Sequence, residues 1–365
     1  MKFSCPRKEF FEAVNAAAQA VSNRSPIATL QSIKIVADST GLTVTGCDGE
    51  MWIVRRANAV VEVPGAICLP ARTFTQVLAQ MGDADVSITA ENHGIAEMVQ
   101  GDAEHRFPTI NAEDFPDVPV FMGEREINLS LGEFRRAVAS VAYACSDDKH
   151  RQALTGVHFR YSDDVLTLVS TDTHRLAVRR VHRPGLGEPL SVTVPEKALK
   201  AIRNLPHPDD SDITLSLDTQ RLAVDTSNAT VVTQLLAAPF PAWEKVVPST
   251  TTRAWTLEAD TLFDTAKRCI IVSGDNRQIR LKGSDNQLVV SARSADRGES
   301  KEVLPIIAQN GDIELAFNGK FLLDFLNSVS DPGVRIEMTE SIKPVIFRPV
   351  EDEDYFCVIM PMSLN

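Results

Sequence analysis

Apolar residues recur at helical spacing in three segments of similar design: residues 9–21 (E-F-F-E-A-V-N-A-A-A-Q-A-V), 133–145 (E-F-R-R-A-V-A-S-V-A-Y-A-C) and 260–272 (D-T-L-F-D-T-A-K-R-C-I-I-V). Residues three and four apart share one helix face, so each segment predicts an amphipathic helix with one buried stripe. A second, offset series covers residues 70–81, 195–205 and 318–329. Two of these open on proline, Pro70 and Pro195, whose missing N–H costs nothing at the first helical position. Between the helices the period changes to two. Runs at 33–36, 42–45, 86–88, 214–217, 288–290 and 334–337 read as short strands, with Gly, Asp and Asn separating them at 38–41 and 284–287. Within each helix series the starts lie roughly 125 residues apart, which is an internal repeat. The pattern predicts an α+β unit of two helices and about six to eight strands, used three times. Linkers fit at 116–126, which holds Pro116, Pro119 and Gly123, and at 248–253, rich in Pro, Ser and Thr.

Two stretches break the plain alternation. Residues 165–181, V-L-T-L-V-S-T-D-T-H-R-L-A-V-R-R-V, read as a hairpin whose centre carries Thr171, Asp172, Thr173, His174 and Arg175. That centre is more polar and more varied than a simple turn requires. Residues 357–365, C-V-I-M-P-M-S-L-N, form an apolar, Met-rich stretch that is expected to be tied down. Methionine also suits a surface that accepts more than one partner.

A chain of 365 residues exceeds one ordinary core and suits two or three domains. No apolar run reaches the length of a membrane span and the N-terminus lacks a signal-peptide core, so a cytoplasmic protein without membrane contact is expected. The cysteines Cys5, Cys47, Cys68, Cys145, Cys269 and Cys357 are scattered singly, which suggests neither a disulfide framework nor a zinc site. The net charge of −12 argues against a protein that grips nucleic acid over its whole surface. Its distribution is uneven, however. Arg24, Arg72, Arg135, Arg136, Lys197, Lys200, Arg203, Lys267 and Arg268 lie on or beside the helices, and Lys197, Lys200 and Arg203 fall near one face.

The sequence holds no phosphate-cradling glycine loop and no H-E-x-x-H or G-x-S-x-G motif. Ser170, Asp172 and His174 resemble a triad only in composition, since positions around a hairpin tip have no reason to adopt triad geometry. The acidic pairs Asp147-Asp148 and Asp209-Asp210 and the run 351–354 read as solvated loops. No catalytic residue, metal or cofactor is expected.

Several motifs together carry a resemblance. They are T-D-T-H-R-L-A at 171–177, F-P-A-W-E-K-V-V-P at 240–248 and V-I-M-P-M at 358–362, with M-K-F at the start, L-P-A-R at 69–72 and D-F-P at 114–116. Across its whole length the chain resembles the bacterial DNA polymerase III β subunit family, the replicative sliding clamps. The resemblance implies three DNA-clamp domains (1–121, 127–248 and 253–365) and a head-to-tail homodimeric ring, with helices lining a central hole and sheets outside. It also implies a non-catalytic processivity factor in DNA replication. Such a protein would encircle double-stranded DNA without sequence preference. It would tether the DNA polymerase III alpha subunit, the clamp loader, and other polymerases and repair proteins through short linear motifs.

Residue by residue, the resemblance places a partner pocket between the second and third domains. Its residues would be Leu154, Thr171, Thr173, His174, Arg175, Leu176, Pro241, Lys245, Val246, Pro344, Val358, Ile359, Met360, Pro361 and Met362. Thr171, His174 and Arg175 would bond the peptide. Thr173 stands where the family commonly has a smaller residue, and Lys245 where an arginine is common. DNA contact would fall to Arg24, Arg72, Lys149, Arg151, Gln152, Lys197 and Arg203; at Gln152 and Ala153 the loop lacks the aromatic pair of some members. The ring contact would join the edge at His105, Arg106 and Phe107 to Ile271, Val272, Glu299 and Glu302. Two rival readings stand beside this one: a peptide-binding scaffold without a DNA role, and an enzyme acting on a small substrate at 171–175.

Overall fold

In the computed structural model, helices form where the apolar stripes fall: α1 Arg7–Ala18, α2 Ala71–Gln80, α3 Leu131–Ala142, α4 Glu196–Arg203, α5 Ala259–Val272 and α6 Gly319–Leu326. The model describes all residues except 23, 24, 92, 93, 121, 122, 186, 285, 311 and 365. The two alternating series keep the period of the sequence. Prolines act one residue earlier than expected. Pro6 and Pro70 are N-caps with φ of −57° and −58°, and Pro195 closes a strand. Their fixed φ suits the corner where a strand turns into a helix. Some predicted helix ends overshoot. Ala144 N–H bonds to the Val141 carbonyl at 3.0 Å and Val329 N–H to that of Leu326 at 3.2 Å, so a tighter last turn extends the apolar stripe beyond the α-helix.

Strands number 26 among the described residues, above the expectation. Short edge strands such as Val60–Val63 and Ile307–Gln309 account for the excess, because they bury no side chain fully and give no clear alternation.

The chain divides into two compact units, residues 1–135 with 197–235, and residues 136–196 with 236–365. Each contains one terminal third of the sequence and part of the middle third. The first unit holds a five-stranded sheet in the order Val60–Val63, Lys2–Pro6, Asp85–Ala90, Ile95–Gln100, Ala103–Pro108. Its eight-stranded sheet runs Arg125–Ser130, Asp212–Leu217, Arg221–Asp225, Ala229–Gln234, Met51–Ala57, Gly41–Cys47, Ser32–Asp38, Gly65–Pro70. α1 lies so close to this sheet that a Cβ at Gly46 would meet the Ala17 carbonyl oxygen at 1.9 Å. The core behind it is a chain of edge-to-face rings, Phe3, Phe10, Phe74 and Phe107, with centroids 5.6, 5.8 and 5.1 Å apart.

The second unit has a nine-stranded sheet. Its order is Leu190–Pro195, Gly156–Ser162, Val165–Thr171, Arg175–His182, Tyr355–Ile359, Val345–Pro349, Gly333–Met338, Arg253–Glu258, Ile307–Gln309. A four-stranded sheet runs Gly298–Pro305, Gln287–Ser294, Gln278–Ser284, Ile313–Asn318. Trp255, Phe317, Phe325 and Phe347 fill the core of this unit. Each sheet of mixed origin has one seam. In the first unit Val232 pairs with Trp52, and in the second Leu176 pairs with Val358. Among the described residues, no helix is long and apolar enough to cross a membrane.

Candidate functional site

The expected hairpin is present, with Val165–Thr171 paired to Arg175–His182 from Val165 opposite His182 to Thr171 opposite Leu176. Much of the polarity at its tip serves the backbone. Asp172 Oδ1 accepts from the N–H groups of His174 (2.9 Å) and Arg175 (3.0 Å), a local Asx arrangement. Thr171 Oγ1 accepts from Thr173 N–H at 3.1 Å and donates to the Arg175 carbonyl at 2.6 Å. These bonds hold Thr173 at φ +81°, a left-handed conformation that a β-branched residue rarely adopts. Ser170 is fully buried and donates to the Val141 carbonyl, so it is committed away from Asp172 and His174, and no triad forms.

Arg175 is the centre of the tip. It is 6% exposed and every guanidinium nitrogen is engaged: Nε with Asp172 at 3.0 Å, Nη1 with Asp324 at 2.7 Å, and Nη2 with the Tyr143 carbonyl at 2.5 Å. The Phe321 ring lies 4.5 Å from the guanidinium carbon. Burial alone would lower its pKa, but Asp324 and Asp172 raise it above the ordinary value. Each of its nitrogens therefore has a partner within the protein, and these bonds brace the tip. His174 is exposed, with its ring stacked 6.3 Å from Phe321, and its carbonyl accepts from Met360 N–H at 2.9 Å.

Beside the tip the hairpin and the strand Tyr355–Ile359 share an apolar face. Val169, Leu176, Val178, Ile346, Phe356 and Val358 cluster there, with Phe240, Trp243 and Val247 packed against them. Alternation sends Ile359 to the opposite face, where it joins the core. Val246 (50%) and Met360 (40%) are exposed, as are Pro241 and Lys245, while Pro344, Pro361 and Met362 are half-buried. Pro344 immediately precedes Val345, the partner of Ile359 in the sheet. Leu154 is buried at the end of the turn Gln152–Leu154. Tyr355–Ile359 is an interior strand, and the chain after it is tied down as expected. Met362 N–H bonds to the Ala316 carbonyl at 2.7 Å, and Gln278 and Arg280 hold the carbonyls of Ser363 and Leu364, each at 2.7 Å. Phe321, Asp324, Phe240 and Trp243 were not named as site residues from the sequence, although Phe240 and Trp243 lie in the 240–248 motif. The first two reach the hairpin from α6, a contact that no local pattern announces.

The basic residues are differently placed. Arg24 lies outside the described residues. Arg72 and Lys200 are exposed on α2 and α4, and Arg203 is half-buried. Lys197 is paired with Asp48 at 2.5 Å, which offsets part of its charge. Lys149, Arg151 and Gln152 are exposed on the loop after α3. All three acidic stretches expected to be solvated are partly engaged: Asp148 pairs with Arg151, Asp209 with Arg135, and Asp352 with Arg179.

Of the residues expected at the ring contact, Phe107 turns its side chain inward. Its ring is 5% exposed and packs on Phe74, because alternation turns it inward from the edge strand Ala103–Pro108. That strand offers its backbone edge, with Arg106 paired to Glu97 and Glu104. Ile271 is 68% exposed, Val272 is half-buried and Glu299 is exposed, while Glu302 pairs with Arg268 at 2.6 Å. Gly298–Pro305 is likewise a sheet edge.

Family models match nearly the whole chain. The N-terminal domain of the DNA polymerase III beta subunit matches residues 1–119, its central domain 128–242, and its C-terminal domain 244–363. A beta sliding clamp from Staphylococcus aureus is 24% identical over 373 residues, covering 99% of each chain. Among solved structures, a DNA polymerase III subunit beta from Pseudomonas aeruginosa, bound to griselimycin, aligns with a TM-score of 0.92 at 25% identity over 100% of each chain. The DNA polymerase sliding clamp of Bacillus subtilis aligns with the same TM-score at 23% identity, again over 100% of each chain. With all three domain models matched in order, the chain belongs to the DNA polymerase III beta subunit family, the beta sliding clamps.

Proposed function

We propose that the apolar face shared by the hairpin and the strand Tyr355–Ile359 is the dock for the partners of this sliding clamp. The protein is the processivity subunit of DNA polymerase III and catalyses no reaction itself; it keeps a polymerase on DNA. Its boundaries on this reading are 1–121, 127–248 and 253–365. Two copies close head to tail through the edges Ala103–Pro108 and Gly298–Pro305, with Ile271, Val272, Glu299 and Glu302 beside the second. A heterologous contact that closes after two copies gives a ring.

One observation carries the docking role. A cluster of six buried apolar side chains is bordered by exposed Val246 and Met360, and by a tip whose geometry is fixed from within. An apolar cleft with a few placed polar groups suits a short linear peptide. Leu176 and Val358 would floor it, with Pro241, Lys245, Val246, Pro344, Met360, Pro361 and Met362 at its rim. Thr171, His174 and Leu154 would complete one end. The peptides would come from the polymerase alpha subunit, the clamp loader, and other polymerases and repair proteins, acting in the cytoplasm. Arg72, Lys149, Arg151, Gln152, Lys197 and Arg203, with Arg24, would meet duplex phosphates without reading sequence. Topology would then retain the ring on DNA, and an acidic exterior would keep it soluble.

Calorimetric titration with a short apolar clamp-binding peptide tests the dock. The full chain is expected to bind at micromolar affinity, about −8 kcal/mol. A chain ending at Ile359 should lose at least tenfold, because Met360, Pro361 and Met362 are gone. Equal binding by both would place the dock elsewhere.

A further inference from the structure

We propose that the loop carrying Lys149 and Arg151 is coupled to the dock through one hydrogen bond, so that a polyphosphate strand held by the loop weakens peptide binding. The inference rests on the docking role proposed above and adds its regulation.

The loop after α3 is braced from within. Asp148 N–H bonds to Ser146 Oγ at 3.1 Å, His150 N–H to Asp148 Oδ1 at 3.0 Å, and Arg151 N–H to the Asp148 carbonyl at 3.0 Å. Ser146 N–H bonds to the Leu154 carbonyl at 2.8 Å, so the loop ends on a buried residue of the proposed dock. Lys149, His150 and Arg151 are exposed. Arg151 has two neighbours of different kind. Its Nε is 3.4 Å from Asp148 Oδ2, and its Nη1 donates to Thr173 Oγ1 at 3.2 Å.

Thr173 is the strained residue of the hairpin tip, at φ +81°. Such a conformation persists only when its surroundings over-determine it. Thr171 restrains the backbone of Thr173, and Arg151 restrains its side chain. The same tip anchors the chain that follows the C-terminal strand, through the His174 carbonyl and Met360 N–H. A guanidinium bonds a phosphate oxygen more strongly than a neutral hydroxyl, because the bond is charge-assisted and can be bidentate. A phosphate arriving between Lys149 and Arg151 therefore draws Arg151 away from Thr173. The tip loses its outer restraint, and a peptide must then restore the order itself. By linkage, a bound peptide weakens the phosphate contact by the same factor. An exposed bond of this kind supports a coupling of about two- to fivefold.

The test uses the full-length protein, a fluorescein-labelled clamp-binding peptide and a 15-base-pair DNA duplex at low salt, read by anisotropy. Saturating duplex is expected to weaken peptide binding about two- to fivefold in the wild type and in Thr173→Ser, which keeps the hydroxyl. In Thr173→Val the duplex should leave peptide affinity unchanged. An unchanged affinity in the wild type overturns the coupling. So does an equal shift in Thr173→Val, which would mean that duplex and peptide exclude one another directly. Failure of the duplex to bind removes the anion from the loop, and the coupling with it. Failure of the peptide to bind when no DNA is present overturns the docking role instead.

Discussion

Arg55 and Arg175 are both buried, at 5% and 6% exposure, and each stands on a strand that forms a seam between distant segments. Their surroundings are opposite. Arg175 has two carboxylates, a carbonyl and an aromatic face, and its pKa is raised. Arg55 Nη1 meets His207 Nε2 at 2.6 Å and the Asn228 side-chain oxygen, both neutral acceptors. Burial lowers its pKa, against the more distant fields of Glu12 and Glu9. Breaking a buried pair leaves an uncompensated charge, whereas a neutral partner can be exchanged for another acceptor at lower cost. The seam beside the proposed dock is thus locked by charge, and the other by a histidine that must stay neutral.

Removing Arg175 should have the largest effect. Arg175→Ala leaves Asp172 and Asp324 facing one another without their cation, a loss of about 3 kcal/mol in chemical denaturation and at least tenfold in peptide affinity. Arg175→Lys should recover little of either, because one ammonium cannot span two carboxylates and a carbonyl in a fixed fork. Peptide affinity near wild type in Arg175→Ala would refute the bracing role.

The other seam should respond to acid instead. His207 titrates below its ordinary 6.5, through burial first and then the charges of Arg55 and Arg135, partly opposed by Asn228 and Glu12. Above that ordinary value both folded and unfolded chains hold it neutral, so no penalty arises. As the pH falls below it, the unfolded chain takes up the proton first and stability declines. Thermal melts between pH 7 and 5 should show this decline, and His207→Gln, which keeps an acceptor for Arg55, should flatten part of it. His158, also lowered by burial and then by Arg160, adds a slope of the same sign. An identical slope in the variant would remove His207 from the account.

The smallest change concerns Thr173. Glycine adopts φ +81° without steric cost, so Thr173→Gly relieves strain while giving up the Arg151 bond and some chain entropy. A net gain of about 0.5 kcal/mol in hydrogen-exchange protection at residues 171–176 is expected. Slower protection loss in the wild type than in the variant would reverse the sign.

The helices and the repeat were legible because their signal is local: a stripe at helical spacing, preceded in α1, α2 and α4 by a proline. The hairpin was legible for the same reason, and Asp172 occupies the position where an Asx turn needs it. Phe107 was expected at the ring contact, and its side chain packs inward on Phe74. On the edge strand A-E-H-R-F-P the alternation puts the phenylalanine opposite Arg106, hence inward. Arg175 was expected to bond a peptide; the partners that brace it, Asp324 and Phe321, sit on α6, far along the chain, where no local pattern points to them. Nothing near Thr173 signals a left-handed backbone, which the surrounding hydrogen bonds impose.

Both seams pair strands from far-separated parts of the chain, Trp52 with Val232 and Leu176 with Val358. Closing such long loops is entropically costly before any contact rewards it, so sheet completion belongs late in folding. Until then the strands Met51–Ala57 and Arg175–His182 each present an open backbone edge. Refolding at high protein concentration should therefore favour exchange of strands between copies over closure within one, and the yield of native clamp should fall with concentration rather than with time.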